Sequence, residues 1–271
     1  MIALAELSTE QSQSTGETIG RLQETLSASR LNLFLQCRLK FYFRYVIGLK
    51  KPKTPALHLG GSIHAVLKSW NKGRWRGTPF SLKQLHDVYA VAWLEDRGDP
   101  VAWNGDKEEQ KKTGWRLLET YFRESNILDD VKPDAVEVPV EADLSVHGLP
   151  TLTGVIDLVQ CGRIIDFKTC SASPVPDKAA HTAEVQTSAY AVLYRDAAGK
   201  MEQGIELHHL VKLKNPKIVI TSLPPMNDRQ QIRLFHLMEA YIDGLDRRDF
   251  VPSPGMQCAA CEFFNECRNW H

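Results

Sequence analysis

The sequence predicts an α/β fold in which an α-helical first half is followed by a mixed β-sheet flanked by helices. Apolar residues recur at helical spacing up to about residue 126. From Ala135 the period changes, because Val136, Val138 and Val140 alternate with acidic residues and a proline. A hairpin pattern follows, and then a helix lies between further strand-like runs, an order typical of a mixed sheet.

The chain begins with a polar segment that leads into a helix. Residues 1–26 are rich in Ser, Thr, Gln and Glu, so we expect them to be poorly ordered and residues 27–271 to form a single domain. Ser27 or Ser29 is a capping residue, and the apolar residues after it have helical spacing. This first helix is expected to contain Cys37.

The later elements are predicted from their own spacing and end signals. Gly60 and Gly61 open a second helix, in which His64 lies beside an apolar stripe. The remaining elements are helices over 81–96 and 107–126, strands from 135, over 152–159 and over 163–169, a helix over 181–196, strands over 205–213 and 217–222, and a helix over 228–246.

A predicted hairpin turns at Cys161-Gly162 and brings charged residues together. Counting back along both strands from this two-residue turn sets Asp157 opposite Asp166, with Cβ atoms about 5 Å apart. Lys168 is two residues after Asp166 and therefore projects from the same face of the sheet. The hairpin thus predicts three charged groups at one place.

Apolar residues surround these groups, and two facing carboxylates there would repel each other and be poorly solvated. Oxygen ligands suit Mg²⁺ or Mn²⁺, and a divalent cation removes both difficulties. Lys168 would then hold or deprotonate a water, or stabilise the charge that develops on a phosphoryl group. The alternative is an ordinary hairpin with a surface Asp and an Asp–Lys pair, which applies if the register slips by one residue.

Four of the six cysteines have the spacing of metal ligands. Cys258, Cys261 and Cys267 form a compact triplet, while Cys37 lies far upstream. One distant cysteine with a triplet favours an iron–sulfur cluster over tetrahedral zinc, which usually takes two close pairs, and unligated thiols are the third possibility. The opening residues lack a secretory apolar segment, which favours reduced thiols in a cytoplasm over disulfides. The other two cysteines are expected to carry no metal.

Charge is distributed unevenly, although Lys and Arg balance Asp and Glu at 33 each. The segment from Thr25 to His86 contains twelve basic residues and no acidic one. This exclusion of acid indicates a polyanionic partner such as a phosphate backbone. The sequence has neither an apolar run long enough to cross a bilayer nor a P-loop motif, which excludes a membrane span and a helicase motor.

Three motifs occur in a characteristic order. Gly154-Val155-Ile156-Asp157, Asp166-Phe167-Lys168 and Gln186-Thr187-Ser188-Ala189-Tyr190 resemble the G-x-x-D, D-x-K and Q-x-x-x-Y motifs of RecB-like nucleases in the PD-(D/E)xK superfamily. The cysteine pattern is similar to the iron–sulfur branch of that family, which includes CRISPR-associated RecB-like exonucleases and AddB-type nuclease domains. The resemblance spans residues 27 to 268. It implies a restriction-endonuclease-like core and a C-terminus stapled by an iron–sulfur cluster.

The resemblance also implies a role for each matching residue. Catalysis would rest on Asp157, Asp166, Lys168, Gln186 and Tyr190. The Mg²⁺ or Mn²⁺ ion would be held by His64, Asp157, Asp166 and the backbone carbonyl of Phe167. A structural [4Fe-4S] cluster would be held by Cys37, Cys258, Cys261 and Cys267.

The implied function is a metal-dependent DNA nuclease, an exonuclease acting on single-stranded DNA or DNA with free ends. The implied setting is the cytoplasm, for a prokaryotic or phage-encoded protein in DNA end processing, recombination, repair or CRISPR adaptation. Recombination or CRISPR-adaptation proteins would then be partners. The alternative is a catalytically silent nuclease fold that binds DNA or a partner and is stapled by zinc or an iron–sulfur site.

Overall fold

The computed structural model describes residues 15–94, 100–127 and 131–270 and begins with an ordered helix. Helix α1 covers residues 15–24, and β1 (Thr25–Ser27) follows it. Ile19, Leu22 and Leu26 are buried in the core. The expectation of disorder is therefore wrong from residue 15 onward, because these apolar residues anchor a segment whose composition is polar overall. Residues 1–14 lie outside the described residues.

The first half is helical, as predicted, with two local differences. Cys37 lies in an extended break between two helices and not within one. The long helix begins five residues before Gly60, because Thr54 accepts a hydrogen bond from the Leu57 amide and a proline occupies the first turn. The helices are α2 (Ala28–Gln36), α3 (Arg38–Phe41) with a π-helical turn (Tyr42–Val46), α4 (Pro55–Arg76), α5 (Leu82–Leu94) and α6 (Lys107–Glu124).

The second half supplies a mixed sheet, which confirms the predicted fold class. Five more strands join β1 in the order β1-β3-β4-β5-β6, and β2 pairs with β3 along its other edge. β1 pairs with β3 and β4 with β5 in parallel, and the remaining pairs are antiparallel. The elements are β2 (Ala135–Ala142), β3 (Thr151–Gln160), β4 (Arg163–Cys170), α7 (Pro176–Ala198), β5 (Ile205–Val211), β6 (Lys217–Leu223), α8 (Asp228–Asp246) and α9 (Phe264–Arg268).

Helices cover both faces of the sheet and form two cores. One core joins α1, α2, α7 and α8 to the sheet, and its buried residues include Phe34, Leu193 and Tyr241. The other joins α4, α5 and α6 to the sheet through residues such as Ile63 and Leu117. Within the described ranges, no helix has the length and apolar composition needed to cross a bilayer.

The acid-free segment from Thr25 to His86 is not an unopposed positive surface. Five of its cations form ion pairs with acids from later parts of the chain, which corrects the expectation based on sequence order. The pairs are Arg38–Asp249, Lys40–Glu262, Arg44–Glu262, Lys51–Glu266 and Lys68–Glu137. A sixth cation, Arg74, is buried and donates hydrogen bonds to Asn71 and Gln160.

Candidate active site

The central feature of the site is a fork in the sheet, where β3 and β4 separate. The hairpin has the predicted turn, since Gln160 pairs with Arg163 and both turn residues have positive φ. Pairing between β3 and β4 covers three residue pairs and stops one step before Asp157 and Asp166 would meet. The Phe167 amide instead donates a hydrogen bond to Asp157 Oδ2 at 3.1 Å. The Asp157 side chain thus takes the place of a strand partner where the two strands separate.

Helix α4 brings His64 to this fork. His64 Nε2 lies 3.0 Å from the Phe167 carbonyl oxygen, and Nδ1 lies 3.5 Å from Asp157 Oδ1. A Cβ atom added at Gly60, one turn earlier, would lie 3.3 Å from Thr169 Oγ1, so the glycine permits close approach of α4 to β4. Burial alone would lower the pKa of His64, but the neighbouring Asp157 and Asp166 carboxylates raise it above its ordinary value.

Lys168 belongs to a hydrogen-bonded group that includes two residues of helix α7. Its Nζ lies 2.9 Å from Asp166 Oδ2 and donates to Gln186 Oε1 at 2.6 Å. Gln186 Nε2 in turn lies 2.9 Å from both Asp166 Oδ1 and the Tyr190 hydroxyl. Gln186 and Tyr190 are one helical turn apart, and this spacing directs both side chains to the same place. The structure therefore brings four of the sequence-predicted catalytic residues into direct contact.

Asp166 is the most buried acid of the site, with 2% of the residue exposed. Burial raises its pKa from 3.8 to about 6, although the Lys168 ammonium opposes this change and the Asp157 carboxylate adds to it. Its Oδ2 atom lies 2.9 Å from the Lys168 ammonium and has no other hydrogen-bond partner among the described residues. Burial thus outweighs the single cation beside the carboxylate, and a bound metal ion would add the compensation that is missing.

The site contains one further acid, Glu137, which the sequence did not predict. Ligand atoms of Glu137, His64 and Asp157 all lie within 4.8 Å of one another. The alternating pattern of β2 indicated an ordinary half-exposed strand, and nothing in that pattern distinguishes Glu137 from Glu141. The pairing of Val136 with Leu158 and of Val138 with Ile156 sets residue 137 level with Asp157, and this long-range register is the signal that would have found it.

Comparison with known proteins identifies the family of this chain. A profile of the PD-(D/E)XK nuclease superfamily matches residues 25–268. The chain belongs to the PD-(D/E)XK nuclease superfamily. Among solved structures, a protein from Eubacterium rectale described as a "Putative exonuclease" is similar with a TM-score of 0.59 and 15% identity, over 94% of this chain and 91% of that one. At this identity the likeness supports the fold. Comparison with curated proteins gives no significant match.

Two grooves flank the site of this PD-(D/E)XK nuclease. One, with a volume of about 820 Å³, lies between α4 and α5 and is lined by His64, Lys68 and Glu137. The other, of about 750 Å³, lies between β2 and α7 and is lined by Gln186 and Tyr190. Residues of β2 line both grooves.

The four predicted cluster cysteines of this PD-(D/E)XK nuclease also converge. They line a cavity of about 50 Å³ together with apolar residues that include Phe43 and Phe263. Burial raises the pKa of the Cys267 thiol, and the other three cysteines of the set raise it further. Among the described residues, no three cysteine sulfurs lie within 4.8 Å of one another.

Proposed function

We propose that this chain is a divalent-metal-dependent deoxyribonuclease that hydrolyses phosphodiester bonds as an exonuclease. The observation that carries the proposal is the contact group of Asp166, Lys168, Gln186 and Tyr190 beside Asp157 and His64, in a chain of a nuclease superfamily. Its setting in DNA end processing, recombination, repair or CRISPR adaptation rests on the resemblance to the RecB-like branch. A prokaryotic or phage-encoded cytoplasmic protein rests on the same resemblance.

The donor set fits a divalent cation. His64, Asp157, Asp166 and the Phe167 carbonyl would hold it, and the combination of imidazole with oxygen ligands suits Mn²⁺ better than Mg²⁺. The undercompensated Asp166 carboxylate supports a positive ligand at this place. When bound, such an ion supplies Lewis acidity, which withdraws charge from phosphoryl oxygens and eases ionisation of water.

Side chains of the site position the Lys168 ammonium group, which stabilises the negative charge that develops on the scissile phosphate. Lys168 Nζ is held between Asp166 and Gln186, so its ammonium group is fixed when it donates a hydrogen bond to an oxygen of the scissile phosphate. Tyr190 fixes Gln186 and therefore acts through it. Because Lys168 is ion-paired with Asp166, we assign it to stabilisation of developing negative charge and not to proton abstraction.

Anaerobically purified protein with Mn²⁺ and end-labelled DNA provides the test. We expect release of nucleotides from single-stranded or free-ended DNA, and loss of cleavage in Lys168→Met and Asp157→Asn. Lys112→Met changes an exposed lysine on α6 and should cleave like the wild type. Binding without any cleavage by the wild type would favour a silent DNA-binding module.

We further propose that Cys37, Cys258, Cys261 and Cys267 hold a structural [4Fe-4S] cluster. Convergence of four thiols in an apolar cavity supports this assignment. Iron and sulfide analysis should give four of each per chain, and Cys261→Ala should remove the brown colour, whereas Cys161→Ala should keep it. Zinc without iron in anaerobically prepared protein would refute the cluster.

A further inference from the structure

Glu137 has an unusual backbone conformation for a residue inside a strand. Its φ is 48°, in the left-handed region, which a glutamate adopts only at an energetic cost. Among the described residues, Cys161 and Arg248 are the other non-glycine residues with positive φ, and both lie in turns. Glu137 interrupts β2 without a turn, so the local chain connection does not explain its conformation. Strain of this kind clusters at functional sites.

The strained backbone places the Glu137 carboxylate at the site. The residues on either side pair regularly with β3, whereas Glu137 lies level with Asp157 and outside the ladder. Its carboxylate comes within 4.8 Å of ligand atoms of both His64 and Asp157. The distorted backbone thus brings a further carboxylate, from β2, to the fork of the sheet.

A lysine supplies a positive charge next to this carboxylate. Lys68 Nζ lies 3.0 Å from Glu137 Oε2, and the Lys68 side chain is 41% exposed. Lys68 follows His64 by four residues on α4 and therefore lies on the same helix face. Both Lys68 and Glu137 line the groove of about 820 Å³, into which the lysine can turn without leaving solvent.

We propose that Glu137 is a ligand of the divalent cation and that Lys68 is its counter-ion in the cation-free protein. This inference rests on the cation site of the proposed function. Cation binding then requires Glu137 to exchange the Lys68 ammonium for the metal ion, and the lysine is released into the groove. Lys68 therefore competes with the cation for Glu137, which makes the wild-type site bind metal less tightly than its ligands alone would allow.

Calorimetric titration of the anaerobically purified full chain with Mn²⁺ tests this exchange. Glu137→Gln should weaken Mn²⁺ binding by about tenfold or more, a scale known for groups that support metal sites. Lys68→Met should tighten Mn²⁺ binding, and the double variant should bind like Glu137→Gln, because Lys68 acts only through Glu137. Glu119→Gln changes an exposed acid on α6 and serves as the control.

The outcomes separate this inference from the cation site itself. Loss of Mn²⁺ binding in Asp157→Asn with wild-type binding in Glu137→Gln would overturn the role of Glu137 and leave the site in place. Retained binding in Asp157→Asn would overturn the site. An unchanged dissociation constant in Lys68→Met would overturn the counter-ion exchange.

Thermal unfolding in chelator gives a readout that is independent of metal. Glycine accepts positive φ whereas alanine does not, so Glu137→Gly should unfold at a higher temperature than Glu137→Ala if residue 137 is strained. Equal or reversed unfolding temperatures would refute the strain on which the argument depends.

Discussion

Replacement of Asp166 by asparagine should abolish cleavage and yet stabilise the metal-free protein at neutral pH. Asparagine mimics the protonated acid, because it keeps an acceptor for Gln186 and carries no charge. Burial raises the pKa of the Asp166 carboxyl from 3.8 to about 6 even with Lys168 beside it. The ionised carboxylate is thus less stable in the folded protein than in the unfolded chain.

The magnitude follows from the two pKa values. A difference of about two pH units corresponds to about 3 kcal/mol of folding free energy that the wild type loses at pH 7 and that Asp166→Asn regains. Between about pH 4 and pH 6 the folded protein binds more protons at Asp166 than the unfolded chain. The free energy of unfolding of the wild type should therefore fall as the pH rises through this window, relative to the variant.

Denaturant unfolding of both proteins in chelator, from pH 4 to pH 7.5, measures this difference, and contributions common to both cancel. Excess Mn²⁺ should raise the free energy of unfolding of the wild type and should raise that of Asp166→Asn much less, because the metal ion balances the charge of the Asp166 carboxylate. If the variant is less stable than the wild type at pH 7, or if the difference does not change with pH, burial of an undercompensated carboxylate is not the cause of the altered pKa.

Two further predictions concern packing and the C-terminal segment. Gly154→Ala would place a Cβ atom 2.7 Å from Leu193 Cδ1 and should lower the free energy of unfolding by about 1–3 kcal/mol. Gly61→Ala, which has open space at Cβ, should raise the free energy of unfolding by up to about 1 kcal/mol. Equal effects of the two variants in denaturant unfolding would contradict this packing. Glu262→Gln removes the ion pairs with Lys40 and Arg44 and should cost at most about 1 kcal/mol at neutral pH. Burial alone would raise the pKa of Glu262, but the two cations lower it below its ordinary value of 4.5. The difference from wild type should therefore diminish as the pH falls below 4.5, and a difference that persists in strong acid would contradict the ion-pair explanation.

Local sequence patterns predicted the fold well because they depend on neighbours in the chain. The hairpin turn at Cys161-Gly162 fixes the register of β3 and β4, and the strand and helix order follows from changes of period. The prediction that Gly60 and Gly61 open α4 is wrong, because α4 begins five residues earlier, at Pro55. Thr54 and Pro55 provide the stronger capping signal, and the glycines lie inside the helix.

Long-range pairing explains what the sequence could not predict at the site. Asp157, Asp166 and Lys168 lie on one hairpin, and Gln186 and Tyr190 on one helix, so short spacings group them. Glu137 reaches the site through pairing of β2 with β3 and a left-handed φ, neither of which its neighbours in the sequence reveal. The ion pairs of the acid-free segment likewise join residues that are separated by up to about two hundred positions.

These ion pairs also join the two segments that carry the predicted cluster cysteines. The C-terminal segment has little apolar periodicity, and the resemblance implies that an iron–sulfur cluster attaches it. Glu262 and Glu266 lie directly beside Cys261 and Cys267, and they bind Lys40, Arg44 and Lys51 of the segment that carries Cys37. Phe263 packs between the same two segments against Leu39 and Phe43. Ion pairs and apolar packing therefore join the two segments that carry the four cysteines, so attachment of the C-terminal segment does not depend on metal ligation alone.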